Sequence, residues 1–168
     1  MEQDMTTIHL RPTIEKDLPF VMAAECAEDN RKFVAQWTQA MHEAALTNPD
    51  LRHLMIERLE DHAPVGYLIL AGLENPHLSV EFRRIVITEK GKGYGRSALQ
   101  LVKQFVFEEP GAHRLWLDVK DHNTRARHLY QSEGFIEEGI LRECYQTEDG
   151  FESLVIMSML RNEYEAEE

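Results

Sequence analysis

The chain has 168 residues, 43% of them hydrophobic, with 18 basic and 30 acidic side chains and a formal net charge of −12. The length and apolar share fit a single domain over residues 1–168 with a buried core. A surface this acidic repels nucleic-acid phosphates and attracts cations, protonated amines included, although net charge also serves solubility alone.

In chain order, residues 8–12 read as a short strand that Pro12 ends. Asp17 can cap a helix that begins at Leu18 and Pro19 and runs toward Ala27. A second helix is expected over 31–46, with Phe33, Trp37, Ala40, Met41 and Ala44 on its apolar face. Asn48–Pro49–Asp50 makes a turn. Strands are expected over 51–59 and 65–73, and the second, apolar throughout, belongs at the centre of a sheet. The fourth strand, 79–88, changes phase. Val80 and Phe82 alternate, strict alternation then requires Arg84 on the same face, and the apolar positions resume at Ile85, Val86 and Ile87. A β-bulge near Arg83–Arg84 accounts for the slip, and so does a strand end buried on both sides.

A glycine-rich loop over 89–95 leads into an amphipathic helix over 96–107, with Ala98, Leu101, Val102 and Phe105 at helical spacing. A strand over 113–120 follows, then a helix over 123–133 closed by Gly134. Two strands, 135–146 and 151–160, meet at a turn formed by Glu148, Asp149 and Gly150. The acidic tail, about 162–168, is expected to fray. The fourth strand, the helix and the fifth strand form a βαβ unit with parallel strands, and the other connections are hairpin-like. The expected class is α/β (α+β), a mixed sheet with helices packed over it.

Several chemistries find no support. Cys26 and Cys144 are far apart without metal-ligand spacing, and the eight histidines are scattered. No metal site is expected, and two free thiols are the default, with one disulfide left open. The apolar run at 65–73 is far short of the roughly 20 residues of a membrane span. Glu2 and Asp4 stand where a signal peptide would carry basic residues. A cytoplasmic protein without a membrane or nucleic-acid partner is expected.

Two stretches carry chemistry. In Lys90–Gly91–Lys92–Gly93–Tyr94–Gly95–Arg96–Ser97, alternating glycines between basic residues open a helix. Glycine lets the backbone turn its N–H groups toward one point, and the helix N-terminus adds a positive dipole end, so phosphate oxygens fit there. It follows neither the Walker nor the Rossmann pattern. In Asn123–Thr124–Arg125–Ala126–Arg127–His128–Leu129–Tyr130, Asn123 is a helix cap or a ligand-binding residue. Tyr130 is a core aromatic or a proton donor.

The first stretch resembles the Q/R-x-x-G-x-G/A signature of the GNAT N-acetyltransferase superfamily, with Lys90 in place of Gln or Arg. The second, through Gly134 and Phe135, resembles its N-x-x-A-x-x-L-Y-x-x-x-G-F element. The resemblance covers nearly the whole chain, and Gly134 to Gly139 with Arg142 is similar to the branch of ribosomal-protein N-terminal and polyamine acetyltransferases. It implies a seven-stranded, mostly antiparallel mixed sheet with helices on both faces, splayed between the fourth and fifth strands. It implies acetyl-CoA as cosubstrate and direct transfer of the acetyl group to a primary amine, either a protein N-terminus or a small cationic amine such as a polyamine. Lys92, Gly93, Gly95, Arg96 and Ser97 would hold the pyrophosphate. Val86 and Ile87 would pair with the pantetheine arm, and Asn123 would contact it. Tyr130 would be the general acid. Glu81 stands where a catalytic glutamate is common, and equally reads as a surface charge at the sheet edge. A homodimer is compatible with the resemblance. A non-catalytic acyl-CoA-binding sensor is the competing class.

Overall fold

The computed structural model describes residues 7–167, so Glu2 and Asp4 lie outside the described residues. One seven-stranded sheet runs in the order β1-β2-β3-β4-β5-β7-β6. Its strands are β1 (Ile8–Pro12), β2 (Leu51–Arg58), β3 (Pro64–Ala71), β4 (Ser79–Ile87), β5 (Arg114–Lys120), β6 (Ile136–Thr147) and β7 (Gly150–Leu160). All neighbours are antiparallel except β4 and β5. That single parallel step is the βαβ unit built around α4 (Tyr94–Glu108).

Strand alternation sorts the core into two layers. Leu54, Ile56, Val65, Leu68 and Leu70 face α4, together with Ala98, Leu99, Val102 and Val106 of that helix. Met55, Tyr67 and Ile69 face the other way, against Leu18, Val21 and Ala24 of α1 (Leu18–Cys26). Helices therefore cover both faces, as expected. The central strand β3 is buried from Val65 to Ala71, which is why it reads as continuously apolar.

β4 decides between the two readings of its phase slip. Leu70 pairs with Phe82 and Ile69 pairs with Arg84, so Arg83 is the extra residue of a β-bulge. Before the bulge Val80 and Phe82 join the α4 layer. After it Ile85 and Ile87 do, while Val86 joins the α1 layer.

The helix expected over 31–46 is corrected. α2 (Glu28–Arg31) is one turn, residues 32–38 are irregular, and α3 (Gln39–Thr47) starts afresh. Thr38 caps α3 by accepting from Met41 N at 3.2 Å. α3 buries His42 and Ala45 and leaves Met41 47% exposed, so the apolar periodicity names the wrong face. Tertiary hydrogen bonds break the helix here: the Asn30 side chain donates to Ala24 O and Ile87 O, and Trp37 N donates to Glu25.

Three smaller corrections follow. Asp17 holds the Arg11 guanidinium at 2.7 and 2.8 Å and accepts from Ile14 N, and it makes no side-chain cap on α1. The tail forms α6 (Arg161–Ala166), with Tyr164 stacked on Phe107 and Glu167 reaching the buried Lys103 at 2.9 Å. α4 begins at Tyr94, two residues earlier than expected, which draws Gly95 into its first turn.

Gly66 sets how closely β3 and β4 approach. A Cβ there would stand 2.3 Å from the Val86 carbonyl oxygen and 3.3 Å from Ile87 Cα, both backbone atoms that cannot rotate away. Gly66→Ala should cost about 1–3 kcal/mol, read as a melting temperature several degrees lower. An unchanged melt would mean that the strands part without penalty.

Candidate active site

β4 and β5 pair only from Ser79 to Glu81, opposite Arg114 to Trp116. Beyond Glu81 they part, and a cleft of about 1070 Å³ opens between them. Its walls come from β4, the glycine loop, α4, β5, α5 (Thr124–Ser132), residues 33–35, Tyr145 of β6 and Leu154 of β7.

The loop end is built for anionic oxygens. Gly91 and Gly93 both hold φ +77°, a conformation that strains any residue with a Cβ. Gly93 is the N-cap of α4, and Ser97 N already donates to its carbonyl at 3.1 Å. The amides free of intrahelical partners are thus Tyr94, Gly95 and Arg96. Lys90, Arg96 and Arg125 line the same end. Burial, then Arg125, holds the Lys90 ammonium below its ordinary pKa, and its Nζ donates to Asn30 Oδ1 at 2.6 Å.

Not every residue expected in this site lines it. Glu81, Ile87, Gly93, Gly95, Arg96, Asn123 and Tyr130 do. Ser97 is corrected, since its amide is spent inside the helix. Lys92 lies outside the lining and pairs with Glu89 at 3.2 Å. Val86 is corrected as well. Its carbonyl is directed at Gly66 of β3, so alternation turns the neighbouring Ile85 and Ile87 backbone toward the splay, and the Ile87 carbonyl takes Asn30. Asn123 does cap α5, accepting from Ala126 N at 3.2 Å.

At the point of separation three titratable groups meet. Leu115, Leu117 and Val119 face α4, which turns Asp118 to the face that carries Glu81. Burial, then the nearby Glu81 charge, raises the Asp118 carboxyl above the ordinary range. Tyr130 approaches from the α4 layer. It is 8% exposed and packs edge-on against Phe135, so it is both a core aromatic and a wall of the cleft. Burial, then the Asp118 charge, pushes its hydroxyl up to about 12. Glu81 itself pairs with Arg83 at 2.9 Å. Asp118 went unremarked in the sequence, although the alternation Leu115–Leu117–Val119 beside a parallel partner strand marks it.

Away from the cleft, His9, Glu57 and His62 bring three possible metal-ligand atoms within 4.8 Å of one another. Both Glu57 oxygens are already partnered, by His9 at 2.9 Å and Arg11 at 2.8 Å. No helix among the described residues is long and apolar enough to cross a membrane.

The acetyltransferase (GNAT) family matches residues 20–135, more than half of the sequence. The chain belongs to this family. It is an acetyl-CoA-dependent N-acetyltransferase. A spermidine N(1)-acetyltransferase of Vibrio cholerae is 26% identical over 168 residues, covering 92% of this chain and 94% of the relative. A ribosomal-protein alanine N-acetyltransferase of Escherichia coli is 41% identical, over 69 residues and 40% of this chain. A crystal structure of the Vibrio cholerae spermidine N-acetyltransferase with CoA and spermine shares the fold, with a TM-score of 0.85 at 23% identity over 95% of this chain and 98% of that one.

Acetyl-CoA should raise the melting temperature of this acetyltransferase by mass action. Gly93→Asp puts a carboxylate beside the free amides and should abolish the rise. Gly93→Ala carries the same backbone cost without the charge and should keep most of it. Equal loss in both variants would make the effect conformational, and an unchanged rise in folded Gly93→Asp would remove the loop from the phosphate site.

Proposed function

We propose that this enzyme acetylates a primary amine of a small cationic acceptor of the polyamine class. The observation that carries the proposal is the convergence of Glu81, Asp118 and Tyr130 where β4 and β5 separate. Two carboxylates there attract a protonated amine, and the −12 net charge adds a long-range field of the same sign. The spermidine enzymes support this acceptor because they align over nearly the full chain, whereas the ribosomal-protein enzyme aligns over 40% of it.

In the proposed mechanism the pyrophosphate sits on the amides of Tyr94, Gly95 and Arg96, and the pantetheine arm pairs with the Ile85 and Ile87 backbone. Asp118, helped by Glu81, takes the proton of the bound ammonium. The amine nitrogen attacks the thioester carbonyl carbon, the carbon–sulfur bond breaks as the amide forms, and the second proton shed by the nitrogen replaces the one that Tyr130 gives up. Tyr130 donates its hydroxyl proton toward the departing thiolate.

The pH dependence carries a sign. Asp118 must be ionised to accept a proton, and its pKa is raised, so kcat/KM should climb with pH through a limb above the usual carboxylate value of about 3.9. Glu81→Gln removes the negative neighbour and should move that limb to lower pH. A limb indifferent to Glu81→Gln would uncouple the pair.

Tyr130→Phe keeps the ring and removes the hydroxyl. Turnover should fall about 10²–10⁴-fold, with acetyl-CoA affinity changed little, since one hydrogen bond is worth about 1 kcal/mol. Stopped thiol release and calorimetric titration on one preparation measure both. Normal turnover would leave Tyr130 as a core aromatic alone.

A further inference from the structure

Glu25 of α1 is fully buried, and no part of it lines the cleft. An ionised carboxylate has about four acceptor sites, and here four donors fill them. His42 Nε2 and Trp37 N lie 3.0 and 3.2 Å from Oε1, while the Tyr67 hydroxyl and Arg84 Nη1 each lie 2.7 Å from Oε2. The hydrogen bonds and the nearby Arg84 charge outweigh burial and hold this carboxyl below the ordinary range, so it is charged. Behind His42 the chain continues through His53 to Thr13, at 3.1 and 2.8 Å. Burial keeps His53 neutral near pH 7, with its pKa lowered to about 4. His42 Nε2 faces Glu25, and the ring nitrogens behind it give every link of the chain one donor and one acceptor.

One of the four donors, Arg84, lines the cleft, and a second, Trp37, lies two residues beyond lining residue Ala35. Arg84 follows the bulged residue, and its guanidinium lies 4.6 Å over the Trp37 ring. Trp37 closes the irregular segment 32–38, whose residues 33–35 line the cleft. The far end of that segment is tied across the splay, where Lys120 Nζ donates to Lys32 O at 2.8 Å. Arg84 in the cleft wall and Trp37 of the adjoining segment are thus held by one buried carboxylate.

We propose that Glu25 is a positioning residue for the acceptor: through Arg84 and Trp37 it fixes the wall against which the amine is aligned, and it touches neither substrate. The proposal rests on the amine-acetylation reading above. It assigns to α1 and α3 a kinetic task beyond the packing they provide.

A double-mutant cycle of Glu25→Gln and Arg84→Met tests this, with thiol release followed on spermidine. Glu25→Gln should raise the acceptor KM on the order of tenfold or more, because a small misalignment of reactants is costly. It should leave the Kd of acetyl-CoA within about twofold, since the phosphate loop is separate. Leaving either charge buried alone destabilises the fold, whereas removing both together restores much of the melting temperature. The double variant therefore keeps the test readable if a single variant folds poorly. Positioning through Arg84 requires that Glu25→Gln change the acceptor KM more in the parent than in the Arg84→Met background, where only the Trp37 tie is left to lose. Additive effects, or a folded Glu25→Gln enzyme with parental acceptor KM, would overturn the proposal. If the parent acetylates no polyamine, the acceptor reading fails by itself. The cycle is then read on Trp37 fluorescence in a Trp116→Phe background, where Glu25→Gln must change the emission more while Arg84 is present than in the Arg84→Met background. Emission unaltered by Glu25→Gln would likewise overturn the positioning role.

Discussion

The molecule depends on one inserted residue. Arg83 bulges from β4, and the strand on its far side runs with inverted phase. The inversion places Ile85 and Ile87 under α4 and turns Arg84 toward α1. The added bend and twist that a bulge brings also explain why β4 leaves β5 immediately after Glu81. A regular β4 would pair with β5 along its length, and its edge amides would be spent on the sheet. The unpaired edge is what leaves backbone groups for a ligand arm. The opening also lets groups from opposite faces of the sheet, Asp118 from one and Tyr130 from the other, sense each other's charge.

Charge of both signs lines the cleft. Lys90, Arg96, Arg125 and the free amides stand at the α4 end with Asp29 and Glu89 nearby, and Glu81 and Asp118 stand where the strands part, beside Arg83 and Arg84. The overall field of the chain is negative, which favours an incoming cation and opposes an incoming phosphate. In the proposed mechanism phosphate binding therefore has to be local, through N–H groups aimed by Gly91 and Gly93 and through the helix dipole, both of which act over one turn. The buried Glu133, paired with Arg96 at 2.5 Å and within 3.4 Å of Lys103, keeps part of that local positive charge anchored.

What was legible in the sequence is what obeys short-range rules. A continuous apolar run marks the β3 centre, a lapse of alternation marks the break in β4, and glycine spacing marks the loop. Asp118 was legible too, had the outward positions of the fifth strand been weighed beside those of the fourth. The region 28–47 was not. Its residues carry an amphipathic helical pattern, yet Asn30, Trp37 N and His42 are claimed by α1 and β4, and those partners lie elsewhere in the chain. Nothing local to Glu25 announces His42, Tyr67 and Arg84 as its partners. The α4 start was misjudged by two residues because glycine suggests loop, while Gly95 takes ordinary helical geometry and its missing Cβ would meet only Leu129 at 3.8 Å.

The proposed proton traffic has an internal logic. The Asp118 charge is one of the two causes that hold the Tyr130 proton on, with its pKa raised to about 12. When Asp118 accepts the proton of the amine, that charge disappears, and the tyrosine becomes a stronger acid at the moment the thiolate forms. Burial continues to oppose a free tyrosinate, so the hydroxyl serves best while the sulfur is still gaining charge, sharing its proton in a charge-assisted hydrogen bond. Glu81 acts one step further out. Its negative charge makes Asp118 a better base, and Arg83 limits the effect from the other side. Base and acid in this site are thus two ends of one electrostatic couple, and the bulge that spreads the strands is what brings them within reach of each other.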